Sequence, residues 1–143
     1  MGRIKASLAD VSTEFQPLEP GLFEFEITKF EDVEKNGEFV AYRVSNKVTT
    51  AGDNQGKVVT EYIHLKKPGE EIAPDAIGLQ TVKRYFEVAF GKDEVATWTD
   101  DDYDTDKLIG KMFQAQVVID SYTKEGETEP RRTNKFKRME PLD

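Results

Sequence analysis

From Leu18 the chain reads L-E-P-G-L-F-E-F-E-I-T-K-F-E, a Pro-Gly turn followed by apolar side chains at every second position. Phe23, Phe25 and Ile27 share one parity; Glu24, Glu26 and Thr28 share the other. Side chains of a strand point alternately to its two faces, so the spacing predicts a strand with an aromatic buried face and an acidic wet one. The following E-K-N-G-E holds Asn36-Gly37, the residue pair best suited to a two-residue hairpin turn because both tolerate positive φ. A second strand is therefore predicted from Glu38 to Val48, with Val40, Tyr42, Val44 and Val48 inward and Phe39, Ala41, Arg43 and Lys47 outward. After a polar glycine-rich loop at residues 49 to 56, Lys57 to Leu65 reads as a third strand. Val59, Ile63 and Leu65 face in, while Val58, Thr60, Tyr62 and His64 face out.

The period then changes. Between Asp75 and Phe90, Leu79, Val82, Phe86 and Ala89 recur at steps of three and four, the stripe of an amphipathic helix. Asp75 is the expected N-cap and Gly91 the expected C-terminal cap. An acidic irregular stretch follows, with a short helical turn expected near Asp106 to Ile109. A fourth strand is predicted from Lys111 to Tyr122, with Phe113, Ala115, Val117 and Ile119 inward, and a fifth from Arg131 to Met139. Residues 1 to 17 read as a leading arm, with Phe15 a candidate to dock on the fold, and residues 140 to 143 as a short tail. Three strands, a helix and two strands make the element order of an OB-fold, a mainly β, five-stranded Greek-key barrel with its helix between strands three and four. A small β-sandwich or split barrel with one packed helix is the competing architecture.

Composition narrows the classes. The 143 residues suit one domain, and no apolar run approaches the roughly 20 residues of a membrane helix. The N-terminus lacks the apolar stretch of a secretory signal, and an intracellular, cytoplasmic setting is the simplest expectation. With no cysteine there is no disulfide, thiolate metal site or thiol nucleophile. His64 is the only histidine, flanked by Ile63 and Leu65, and Gly52 and Gly56 do not have phosphate-loop spacing. Asp102, Asp104 and Asp106 match the opening of a calcium loop, but Lys107 stands where its glycine belongs and Phe113 where its closing Glu belongs. The expectation is a protein that is not an enzyme and holds no metal or cofactor.

The formal charge of -8 disfavours a polyanionic partner, yet the charge is unevenly spread. Between Phe39 and Lys67 five cations (Arg43, Lys47, Lys57, Lys66, Lys67) stand against Asp53 and Glu61, a net of +3. The run R-R-T-N-K-F-K-R at residues 131 to 138 has five cations and no acid. Binding of single strands without reading sequence needs cations for phosphates and aromatic faces for bases. The outward set Arg43, Lys47, Lys57, Tyr62, His64, Lys66 and Lys67, with Arg131, Arg132, Lys135 and Lys137 from the last strand, offers both. The plainer alternatives are cross-strand packing for Tyr62, a surface position for His64, and cations that guard a sheet edge.

Four segments carry a resemblance: L-E-P-G-L-F-E-F-E-I before and within the first strand, L-Q-T-V-K-R-Y-F-E-V-A-F-G in the helix, D-K-L-I-G-K-M-F-Q-A-Q-V-V-I, and the closing T-N-K-F-K. Together they resemble a group of small phage and prophage proteins, long of unknown function, whose understood members are OB-fold single-stranded DNA-binding proteins. The likeness runs from about Phe15 to Arg138 in spacing and residue class and includes no catalytic motif. Leu22-Phe23 departs from the Thr-Tyr more usual there. The resemblance implies a bacteriophage protein of DNA replication or recombination in the bacterial cytoplasm, as a monomer or homodimer. Its short acidic end, with Glu140 and Asp143, would be a contact for replication or recombination proteins. The alternative from another class is an acidic protein-binding module, a DNA mimic or anti-defence inhibitor, which the net charge and the Asp100 to Asp106 cluster would suit.

Overall fold

A computed structural model of the chain describes Gly2 and residues 17–123, 125–128 and 131–142. The elements are β1 (Gly21–Lys35), β2 (Glu38–Val48), β3 (Val58–His64), α1 (Ile77–Phe90), the four-residue α2 (Lys92–Val95), β4 (Met112–Tyr122) and β5 (Arg131–Pro141). Two 3-10 turns, Asp100–Asp102 and Thr105–Leu108, lie between α2 and β4. The chain is mainly β, and all five strands form one antiparallel sheet in the order β3-β2-β1-β4-β5. Strand four returning beside strand one, outside the β1-β2-β3 meander, is the Greek-key order.

β1 is the strand that lets the sheet curl. Gly21 to Glu26 pair with β4, and Phe25 to Lys35 pair with β2, so its two halves serve different neighbours. Thr28 is the extra residue of a bulge where the pairing changes, and its hydroxyl donates to the Ser45 carbonyl at 3.1 Å. A bulge bends its strand and sharpens the twist. The edge strands β3 and β5 consequently approach each other, without hydrogen-bonding, and α1 lies against β3, β4 and β5 over the remaining opening. The architecture is OB-fold-like, with the barrel open at that seam.

The inward parities expected for β1 to β4 hold, with Phe23, Tyr42 and Ile119 half-buried, but Ala41, expected outward on β2, is fully buried. Val40 is the extra residue of a bulge between the pairs Val33–Ala41 and Glu34–Phe39, so strict alternation is broken there. Phe25, Ile27, Val40, Val44, Val48, Val59, Ile63, Phe113, Ala115 and Val117 are buried. Phe25 stacks on Phe113 at 5.6 Å between ring centres, and Phe136 meets both edge-on at 5.1 and 5.7 Å. Offset and edge-to-face contacts of this kind add about 0.5–1.5 kcal/mol each beyond the area they bury. The same core extends beyond the strands into an aromatic cluster at α1, where Phe86 and Phe90 pack with Trp98 and Tyr103, and Lys107 and Lys111 sit over the Trp98 and Phe90 rings. This cluster anchors the irregular segment before β4. Between barrel and cluster, α1 turns Tyr85 to one and Phe86 to the other.

Several boundaries differ from the sequence expectation. Asp75 does not cap the helix: it lies in a turn closed by the Ala76 amide on the Ala73 carbonyl at 3.0 Å, and the helix starts two residues later. Pro74, second in that turn, pre-sets the φ it needs. Gly91, at φ 95°, does end α1, its amide donating to the Glu87 carbonyl at 2.8 Å. β5 runs through Glu140 and Pro141, paired with Gln114 and Phe113, so the expected tail is strand to that point. Glu140 there pairs with Arg138 at 3.5 Å. Asp143 and the leading arm with Phe15, save Gly2 and Pro17, lie outside the described residues. The chain entering β1 is tied to β5 by Asn134, whose side chain accepts from the Leu18 amide at 2.8 Å and donates to the Leu18 carbonyl at 3.0 Å.

Candidate nucleic-acid interface

The β2–β3 register decides which outward residues meet. Arg43 stands directly opposite Tyr62, Lys47 opposite Val58, and Ala41 opposite His64. Directly opposed side chains lie on one face with Cβ atoms about 4.5–5.5 Å apart. Arg43 and Tyr62 are thus nearest neighbours, both exposed, with Tyr62 54% accessible. Neither side chain has a hydrogen-bond or ion-pair partner among the described residues. On the other flank of β2, Glu31 and Glu26 of β1 stand opposite Arg43 and Lys47. Carboxylates therefore bound the cationic strip on that side, and its free side is toward β3.

The remaining sequence candidates divide by what holds them. Lys57 precedes β3, is exposed, and donates to the Asn54 side chain at 3.0 Å. His64 is exposed at the end of β3. Lys66 is committed elsewhere: its ammonium pairs with Glu38 at 3.3 Å and donates to the Glu70 carbonyl at 2.8 Å. Glu38 also accepts from the Gly69 amide at 2.7 Å, and that bond with the Lys66 ammonium holds its carboxyl below the usual range. Lys67 is exposed, its amide bonded to the Glu70 carboxylate at 3.2 Å. On β5, Arg132 opposes Ser121 and Lys135 opposes Val118, while Lys137 occupies a bulge; all three are exposed. Arg131 pairs with Tyr122 through its backbone.

The seam between β3 and β5 brings the two basic segments together around a group the alternation pattern passes over. Glu61 sits on the inner parity of β3, among Val59, Ile63 and Leu65. Its Oε1 accepts the hydroxyl hydrogen of the fully buried Tyr85 at 2.6 Å. The Tyr85 oxygen in turn accepts from Asn46 Nδ2 at 3.1 Å, and the same amide donates to the Val59 carbonyl at 3.3 Å. Burial pushes the Glu61 carboxyl up, opposed by the Tyr85 bond and by the nearby charges of Arg84 and Lys135. Burial and the Glu61 charge push the Tyr85 phenol well above its ordinary value. A cleft of about 200 Å³ opens over Glu61, lined also by Gln80, Thr81 and Arg84 of α1 and by Lys137 and Arg138 of β5. A second, of about 310 Å³, runs from Glu61 past Tyr62 and His64 to Ile77 and Gly78.

Sequence reasoning missed Glu61, Arg84 and Arg138 as members of this region. A glutamate on a strand's apolar parity was the available signal. Arg84 carried none, since its place follows from how α1 sits across the seam. Gly78 sets that seat: a Cβ there would lie 2.2 Å from the His64 carbonyl oxygen, so only glycine admits this approach of helix to strand.

Among the described residues no group of three or more His, Asp or Glu side chains is placed to hold a metal ion, and no helix is long and apolar enough to cross a membrane. No protein-family model matches the chain, and no curated protein matches its sequence.

Proposed function

We propose that this chain binds single-stranded DNA without reading a sequence motif, in support of phage DNA replication or recombination in the bacterial cytoplasm. The observation that carries the reading is the Arg43–Tyr62 pair, a cation without a partner among the described residues beside an exposed aromatic ring, on the β2–β3 face of an OB-fold-like sheet. That face is where OB-folds take oligonucleotides. A base stacks on the Tyr62 ring for roughly 1–3 kcal/mol, and Arg43, Lys47 and Lys57 take the flanking phosphates. Lys135 and Lys137 continue the cationic track across the seam. The resemblance to phage single-strand binders points the same way. The mechanism is stoichiometric: the protein's cations displace counterions from the strand's phosphates, bases leave water for aromatic surface, and no covalent bond is made or broken.

Fluorescence anisotropy of a labelled oligo(dT), titrated at several salt concentrations with duplex competitor of equal length, tests the reading. The expected result is binding that duplex does not displace and that weakens with salt by a log-log slope of about -0.7 per phosphate neutralised. Absence of binding at low salt overturns it. The acidic protein-binding alternative then takes its place, with the exposed carboxylates of Asp100, Asp101, Asp104 and Asp106 as its contact surface.

A further inference from the structure

The cleft over Glu61 has a donor-seeking floor and a cationic rim. One carboxylate oxygen, Oε1, is occupied by Tyr85. No donor among the described residues reaches Oε2, and no Lys or Arg among them comes within ion-pair distance of either oxygen, although Arg84, Lys137 and Arg138 line the same cleft. Oε2 faces the open cleft, so a carboxylate anchored through Oε1 presents a fixed acceptor to a neutral or cationic hydrogen-bond donor that enters it, and hydrogen bonds to charged groups are the stronger ones. Cations around the rim call for negative charge a few ångströms away. A nucleotide whose base carries an exocyclic amino group presents both: the amine to Glu61, the phosphate to Arg84 or Lys137.

The cleft is also reachable from the stacking face. Glu61, Ile77 and Thr81 line both clefts, and Tyr62 lines the second, so a strand lying on Tyr62 passes over the β3 edge directly into the seam. We propose that Glu61 forms a base subsite favouring amino-bearing bases (cytosine, adenine, guanine) over thymine, giving the protein a compositional bias at one position of the bound strand. Cytosine offers its N4 hydrogens to a carboxylate, a pairing known from base-edge recognition. Thymine offers only N3–H, set between two carbonyl oxygens that face the carboxylate with like partial charge. This inference rests on the single-strand reading.

Its test compares labelled oligo(dC) and oligo(dT) of equal length on the intact chain and on Glu61→Gln. Glutamine keeps an acceptor for Tyr85 but turns a donor toward the base. The dC-to-dT affinity ratio is expected to fall by roughly tenfold in E61Q, the scale of one hydrogen bond to a charged group. An oligomer of the cytosine analogue that lacks the 4-amino group (2-pyrimidinone) tests the same contact without any variant, and is expected to bind the intact chain roughly tenfold more weakly than oligo(dC). If both oligomers bind, the ratio is the same in E61Q and the analogue binds as oligo(dC) does, the subsite is overturned while the single-strand reading stands. If neither oligomer binds the intact chain, both fall together. Should E61Q not fold, the analogue alone decides.

Discussion

The two faces of β3 carry opposite kinds of polar residue. On the outer face Thr60, Tyr62 and His64 are exposed, and Tyr62 stands beside an equally free Arg43. On the inner face Val59 and Ile63 are core, and the one polar member, Glu61, is held by a buried tyrosine from the helix. The outer set costs the fold little and is available to a partner. The inner set is bound into the packing, and any binding it does is at one precise place. A residue's face in a strand thus says whether it is free; it does not say whether it is chemically active.

The inner face is where a single truncation costs the fold most. Tyr85→Ala removes the aromatic hub that touches Phe30 and Phe113 edge-on at 5.6 and 5.8 Å and leaves Glu61 and Asn46 without their shared partner. The expected loss is about 3–5 kcal/mol of stability in denaturant titration, the scale for truncating a buried aromatic. A loss under 1 kcal/mol would mean that α1 is not seated as described. On the outer face, Tyr62→Ala is expected to leave the urea midpoint unchanged while weakening oligo(dT) binding about 5- to 150-fold, the equivalent of one stacked base. An unchanged affinity would remove Tyr62 from the interface.

A smaller effect separates the faces by pH. Glu61 titrates higher in the fold than in the unfolded chain, because burial disfavours its charge. Its contribution to stability is therefore full below the unfolded carboxylate pKa and is lost as pH rises through the folded value. E61Q is expected to abolish that part of the pH profile, so the difference between E61Q and the intact chain in chemical denaturation should grow in the variant's favour on going from acid to neutral pH. Glu38 has the opposite sign: its carboxyl is held low, so its contribution is present above the unfolded pKa and lost as pH falls through the folded one. Glu38→Gln should flatten the acid limb instead. The smallest effect belongs to Lys66→Ala. Since its ammonium is already held by Glu38 and Glu70, oligo(dT) affinity and its salt slope should not move, whereas Arg43→Ala should shallow the slope by about 0.7.

Lys66 also shows the limit of reading sites from sequence. Within residues 39 to 67 it was indistinguishable from Arg43 by charge or by exposure expected from its neighbours. What separates them is the loop of residues 66 to 70 folding back on Glu38, a contact between positions 28 apart. The same holds for the basic run of β5, whose Lys135 and Lys137 come to lie across the seam from β3 through sheet curvature alone.

The sequence alone settles what is local: five strands and one principal helix, the inward parity of the first four strands save at the bulge beside Ala41, the Asn36-Gly37 turn with both residues at positive φ, and the glycine that ends α1. These are set by side-chain periodicity and backbone sterics within a few residues, which is why they can be read without coordinates. Tertiary structure alone decided the rest. The bulge at Thr28 curled the sheet, Gly78 let the helix close on β3, and that closure buried Tyr85 against Glu61 and set Arg84 and Lys137 about the same cleft. The physical reason is that electrostatic environment depends on what comes within a few ångströms from distant parts of the chain, and alternation along one strand carries no record of it.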